Sequence, residues 1–226
     1  MKKFDDELKA LRQRLLQMGQ LCQAMVASAV EALASPQDDG FEEVQRLEAQ
    51  LDQMQLQIDR EAIRMITVYG PVAADLRFLL MVSRINNELE RIGDQAVNIY
   101  EDLRLMALKT DAVPPPEVHK MARVVEEMLN DSLKSFSDQD HRLAQQTLAS
   151  DDLVDAMNDQ IISELLSQQA VRSALEDPSA IASSLAVILL ARSLERIADQ
   201  ATNICEEVVY MIRGTDIRHS EPTSGQ

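Results

Sequence analysis

The chain has 226 residues, and its 22 Lys and Arg against 38 Asp and Glu leave a net charge of −16. That is length for one large domain or two small ones, with an acidity that repels phosphate backbones and anionic lipid surfaces, so nucleic acid and direct membrane insertion are set aside. A hydrophobic share of 46% excludes a disordered chain, while six glycines, seven prolines and few aromatics point to an all-α protein instead of a sheet.

The opening run Met1-Lys2-Lys3-Phe4-Asp5-Asp6-Glu7 turns acidic at once and lacks the apolar stretch of a signal peptide, so the expected compartment is cytoplasmic. Proline and glycine then punctuate six helical segments. The first is expected over 4–34; Ser35-Pro36 stops it and restarts the chain as a second helix over 37–68. There Leu47, Leu51, Met54 and Ile58 recur at helical spacing and line an apolar stripe. Gly70-Pro71 breaks the chain again before a third helix over 72–109, with Ile85, Leu89, Ile92, Ala96, Ile99 and Leu103 as its buried stripe. Near its start, Ala74-Asp75-Leu76-Arg77 reads as a charge pair at a helix start or as a contact point.

The run Pro114–Pro116 opens a fourth helix over 116–136. Ser137-Asp138-Gln139-Asp140 resembles a capping box for a fifth over 138–172, and Asp177-Pro178 opens a sixth over 178–213. The longest uncharged stretch, Ala180 to Ala191, is twelve residues, too short for a bilayer. Cys22 and Cys205 are expected as buried apolar residues, and the eleven methionines as core filler.

An internal repeat organises the six. The segment from Leu89 to Glu101 returns from Leu194 to Glu206 with ten of thirteen positions identical, at an offset of 105. Each copy lies in the third helix of a set of three. The expected fold is therefore two tandem, structurally similar three-helix bundles, at 1–112 and 113–214, followed by a flexible tail over 215–226.

The repeated segment also carries the candidate chemistry. With Glu90 at 0° and a turn of 100° per residue, Asp94, Asn98 and Glu101 fall at roughly 40°, 80° and 20°, Asn87 at roughly 60°, and the apolar stripe near 210°. The band of oxygens points away from its own core. Glu195, Asp199, Asn203 and Glu206 repeat it. Glu48, Asp52, Gln55 and Asp59 share one face of the second helix, and Asp151, Asp155, Asn158 and Asp159 do so in the second unit. Where second and third helices are neighbours, two such bands meet in one groove.

Like charges one turn apart cost ~0.2–0.5 kcal/mol in an isolated helix. Apart from Arg192, few cations lie within the bands to offset that cost. A multivalent cation turns the repulsion into coordination. All-oxygen ligands favour Mg²⁺, Ca²⁺, Mn²⁺ or iron, whereas structural zinc more often recruits Cys or His. A solvated acidic face, and a structural contact at Asn98 and Asn203, stand as alternatives. The histidines His119, His141 and His219 lie off the stripes, and no Glu-x-x-His pair, Gly-rich phosphate loop or nucleophile signature occurs.

Glu90-Arg91-Ile92-Gly93-Asp94 with Asn98-Ile99, returning as Glu195-Arg196-Ile197-Ala198-Asp199 with Asn203-Ile204, resembles the PhoU family. So do Phe4-Asp5-Asp6-Glu7-Leu8, Met18-Gly19, Ile58-Asp59, Pro71 to Arg77, Ala191 to Ile197 and Asp216-Ile217-Arg218-His219, so that nearly the whole chain is covered. The resemblance implies two similar three-helix bundles. It implies metal ions or clusters held by Glu90/Asp94 and Glu195/Asp199, with second-helix partners Asp52, Asp59, Asp155 and Asp159. Glu48, Asp151, Asn98, Asn203, Glu101 and Glu206 complete the candidate metal set. The cofactor would be a divalent or trivalent ion: iron, manganese, magnesium or zinc.

The resemblance further implies a cytosolic adaptor, not an enzyme, that links the ATPase subunit of a phosphate ABC transporter to a membrane sensor histidine kinase. Such an adaptor restrains uptake and holds the phosphate-starvation regulon off, commonly as a homodimer. Gln55 and Asn158 depart from fully acidic stripes, and the second unit has no counterpart of Asp75-Leu76-Arg77, so the two bundles need not bind metal alike. The rival readings are a carboxylate-bridged metal oxidoreductase and a purely structural helical scaffold.

Overall fold

A computed structural model describes residues 2–34, 40–107, 113–167 and 178–217. Among these the chain forms seven helices: α1 Lys2–Ala34, α2 Phe41–Tyr69, α3 Ala73–Ala107, α4 Pro116–Asp138, α5 His141–Leu148, α6 Asp151–Leu165 and α7 Pro178–Arg213. No helix among the described residues is long and apolar enough to cross a membrane. The break expected at Ser35-Pro36, the residue Asp177 and the tail from Arg218 onward lie outside them.

Gly70 closes α2 in the left-handed region, at φ 54° and ψ 49°, and its N–H donates to the Ile66 carbonyl at 3.1 Å. Pro115 and Pro116 open α4, as the proline run suggests. The expected fifth helix is two helices. α4 runs on to Asp138 and ends at Gln139, whose φ is 55°. Ser137 is therefore not a cap. Asp140 is, with its carboxylate accepting from the N–H groups of Arg142 at 2.9 Å and Leu143 at 3.2 Å. α5 stops after eight residues, and the chain turns through Ala149 and Ser150 before α6. Thr147 Oγ1 donates to the Leu143 carbonyl at 3.0 Å at this break, and the following Ser and Asp favour turns over continued helix.

α1–α3 form the first bundle and α4–α7 the second, and one continuous apolar core runs through both. The expected stripes are its inner faces: Leu51 and Ile58 of α2, and Ile85, Leu89, Ile92, Ala96, Ile99 and Leu103 of α3, are buried. Cys22 and Cys205 are buried too, and burial pushes the Cys205 thiol up to about 12. Most methionines, Met18, Met25, Met65 and Met81 among them, fill the core.

The bundles join along α3 and α7, which run antiparallel. Arg77 Nε donates to the Met211 carbonyl at 3.2 Å, Arg84 pairs with the nearly buried Glu207 at 3.1 Å, and Asn203 donates to Glu88 at 3.2 Å. Asp75-Leu76-Arg77 is thus a contact point through Arg77. The chain just past α7, as far as Ile217, is tied down further than its composition suggests. The Gly214 N–H donates to the Tyr210 carbonyl at 2.8 Å, and Ile217 packs against the core.

Two carboxylate clusters as a candidate metal centre

The site begins with a close helix crossing. A Cβ on Gly93 would lie 2.2 Å from Leu51 Cδ2, so glycine on α3 is what lets Leu51 of α2 seat fully. In the second unit the corresponding buried pair is Val154 on α6 and Ala198 on α7. One methylene has moved from the one helix to the other, which keeps the filled volume. Glu48 and Asp52 flank Leu51, and Glu90 and Asp94 flank Gly93, so the crossing brings four carboxylates face to face. Asp151, Asp155, Glu195 and Asp199 flank the second crossing in the same way.

The electrostatics show that each set of four is one group. In the first, partial burial raises Glu48, Glu90 and Asp94 above the usual carboxylate range, and like charge raises them further. Glu48 feels Asp52 and Asp94; Glu90 feels Asp94, Asp52 and Glu48; Asp94 feels Asp52. Arg91 relieves Glu90 in part. In the second set, burial and then Asp155, Asp199, Asp152 and Glu195 push Asp151 up to about 6. Burial and neighbouring Asp155 also raise Glu195 and Asp199. Arg196 and Arg192 oppose the shift at Glu195, and Arg91 and Arg196 oppose it at Asp199.

The donor set fits a hard cation. Among the described residues none of these eight carboxylates is held in an ion pair. Asp151 Oδ1 and Asn158 Oδ1 are buried without a hydrogen-bond partner. Among the described residues no three Asp, Glu, His or Cys side chains already converge on one ion, so coordination asks the carboxylates to turn inward.

The other expected ligands lie elsewhere. A helical wheel discards height along the axis. Asp59 shares the angle of Asp52 but sits roughly 10 Å further along α2. There its carboxylate accepts from Ser83 Oγ at 2.6 Å. Asp159 is exposed one turn beyond Asp155, and none of the repulsion at Asp151, Glu195 or Asp199 traces to it. Asn98 donates to Gln95 Oε1 at 3.3 Å, and Asn203 crosses to Glu88 of the other bundle. Glu101 acts on Asp102, which burial and then Glu101 push up to about 6. Glu206 is half-buried beside Cys205. His119 is tied to the Pro115 carbonyl at 3.1 Å, and His141 opens α5.

Sequence reasoning missed Arg91 and Glu88, which sit between the two clusters in the α3–α7 seam. Their signal is the i,i+3 opposite-charge pair beside the band. A groove of about 510 Å³, lined by Asp5, Lys9, Arg12, Asp75, Phe78 and Gln139 among others, contains none of the clustered carboxylates.

Two tandem helical bundles, each with an oxygen-rich crossing between its last two helices, define a duplicated helical-bundle protein with paired candidate cation sites. The PhoU domain matches the chain twice, over residues 15–103 and 118–208. The chain belongs to the PhoU family. A Pseudomonas putida relative described as a phosphate-specific transport system accessory protein PhoU homolog is 36% identical over 219 residues, covering 96% of this chain and 83% of that protein. The crystal structure of PhoU from Pseudomonas aeruginosa matches with a TM-score of 0.87 and 34% identity, over 94% of this chain and all of that one. A Streptococcus pneumoniae structure described as the phosphate transport system regulatory protein PhoU matches with a TM-score of 0.83 and 26% identity, over 95% of this chain and 99% of that one.

Proposed function

We propose that this chain is a non-enzymatic regulatory accessory protein of phosphate transport whose two carboxylate clusters bind metal ions. The relatives' descriptions as accessory and regulatory proteins of a phosphate transport system support the transport role. The observation that carries the metal half is the duplicated group of four, Glu48, Asp52, Glu90 and Asp94, and Asp151, Asp155, Glu195 and Asp199, in which burial and mutual repulsion raise Glu48, Glu90, Asp94, Asp151, Glu195 and Asp199. A bound Fe, Mn or Mg ion supplies positive charge that neutralises the groove; zinc fits the all-oxygen donor set less well. The carboxylates would hold the ion, and Leu51/Gly93 and Val154/Ala198 fix the spacing of the helices that carry them.

In this reading the protein acts in the cytoplasm as a homodimer. It joins the ATPase subunit of a phosphate ABC transporter to a sensor histidine kinase, restraining uptake and the phosphate-starvation regulon. Ion occupancy sets the charge of the surface offered to those partners. The test is a pull-down with both partners, with and without Mn²⁺, using wild type and the variant carrying Glu90→Ala, Asp94→Ala, Glu195→Ala and Asp199→Ala. Partner capture that depends on Mn²⁺ in the wild type alone supports the proposal. Equal capture in all four conditions removes any regulatory role for the ions.

A further inference from the structure

Resting on the cation reading of the two clusters, we infer that Arg91 is a counter-ion shared by both, so that loading a cation at one cluster weakens loading at the other. Arg91 follows Glu90 directly in α3, beside the seam with α7. Its Nη1 lies 3.5 Å from Glu88, one turn back, and Glu88 accepts from Asn203 of α7 at 3.2 Å. Asn203 sits one turn beyond Asp199. The Glu88–Asn203 contact sets the register of the seam, so Arg91, next to Glu90 of the first cluster, lies level with the turn of α7 that carries Asp199 of the second. Its charge acts on both carboxylates.

Among the described residues the second unit has no equivalent strut. The position matching Glu88 is Ser193, a buried residue with no carboxylate to anchor the matching Arg196. Arg196 acts on Glu195 and Asp199 of its own unit. One bridging charge thus serves two clusters. A divalent ion at the first cluster repels Arg91 from Glu90 and towards Glu88 and the Asp199 side of the seam. A second ion must then displace a cation that cannot leave the chain. By linkage the effect runs equally in reverse. Among the described residues the first cluster is opposed by Arg91 and the second by Arg91, Arg192 and Arg196, so the first fills first.

The experiment is Mn²⁺ titration of the full chain, followed by calorimetry and by the paramagnetic signal of free Mn²⁺. Asp52→Asn disables the first cluster and Asp155→Asn the second, each with Arg91 or Arg91→Gln. The wild type should bind in two unequal steps, and Asp52→Asn should tighten the remaining site relative to the wild-type second step. Arg91→Gln should shrink that tightening by about fivefold, the size expected of one charge several ångströms away in a partly solvated seam. Glu88→Gln keeps Arg91 but releases its anchor and should shrink the coupling too, which guards against a folding defect in Arg91→Gln. Coupling unchanged in both variants, or two equal independent steps in the wild type, overturns the inference and leaves the metal reading standing. No Mn²⁺ binding by the wild type overturns both.

Discussion

Replacing Asp151 by Asn should stabilise the metal-free protein at neutral pH. Asp151 is half-buried, its Oδ1 has no hydrogen-bond partner, and burial with four neighbouring carboxylates lifts it from 3.8 to about 6. That gap corresponds to ~3 kcal/mol at about 1.36 kcal/mol per tenfold. Solvent screening at a partly exposed group cuts it to roughly half, ~1.5 kcal/mol. Opposing it, Asp151 is the first residue of α6, where negative charge is worth ~0.3–1 kcal/mol against the helix dipole. Repulsion wins, by ~1 kcal/mol, or a Tm gain of ~2–4 °C in a chain of this length. Because the folded pKa lies above the unfolded one, folding takes up a proton between 3.8 and about 6. The Asp151 contribution to stability falls as pH rises through that window. Urea unfolding in EDTA should therefore show the Asn variant ahead at about pH 7.5, with the gap closing near pH 4, while Mn²⁺ should raise the Tm of the wild type more than that of the variant. A variant less stable than wild type at neutral pH without metal would refute the frustrated-cluster argument.

Gly93→Ala should cost ~1–3 kcal/mol in urea unfolding, since its Cβ meets Leu51, and adding Leu51→Val should recover most of the loss by copying the Val154/Ala198 pair. Asp140→Ala should lower the Tm at neutral pH by uncapping α5. Since the Leu143 and Arg142 N–H groups hold that carboxyl below its usual 3.8, the wild-type advantage should vanish as pH falls through the folded pKa. Cys22 and Cys205 should be silent to a thiol reagent in the native protein and should both react in urea, because both are buried and burial raises both thiols.

What could be read from the sequence is what repeats locally. Helical spacing alone places Glu90 with Asp94 and Glu48 with Asp52, and the copied segment places their counterparts, so both clusters were visible before any fold was known. The turn at Ala149-Ser150 was not, because the apolar period runs on both sides of it and only a two-residue turn separates α5 from α6. Axial distance was not visible either, which is why Asp59 shares a face with Asp52 but bonds Ser83.

The α3–α7 seam depends on contacts more than a hundred residues apart in sequence, such as Arg84–Glu207, and no local pattern announces them. On the wheel of α3, Asn98 at roughly 80° borders Arg91 at roughly 100°, so the edge of the acidic band is already the edge of the seam. The same helix face that gathers the carboxylate oxygens therefore also meets the other bundle. Glu88 and Ser193 occupy matched positions in the two copies, yet only Glu88 reaches across, to Asn203. The duplication supplies two similar clusters, and this unmatched carboxylate, with Arg192 where the first copy has Asn87, makes their surroundings unequal.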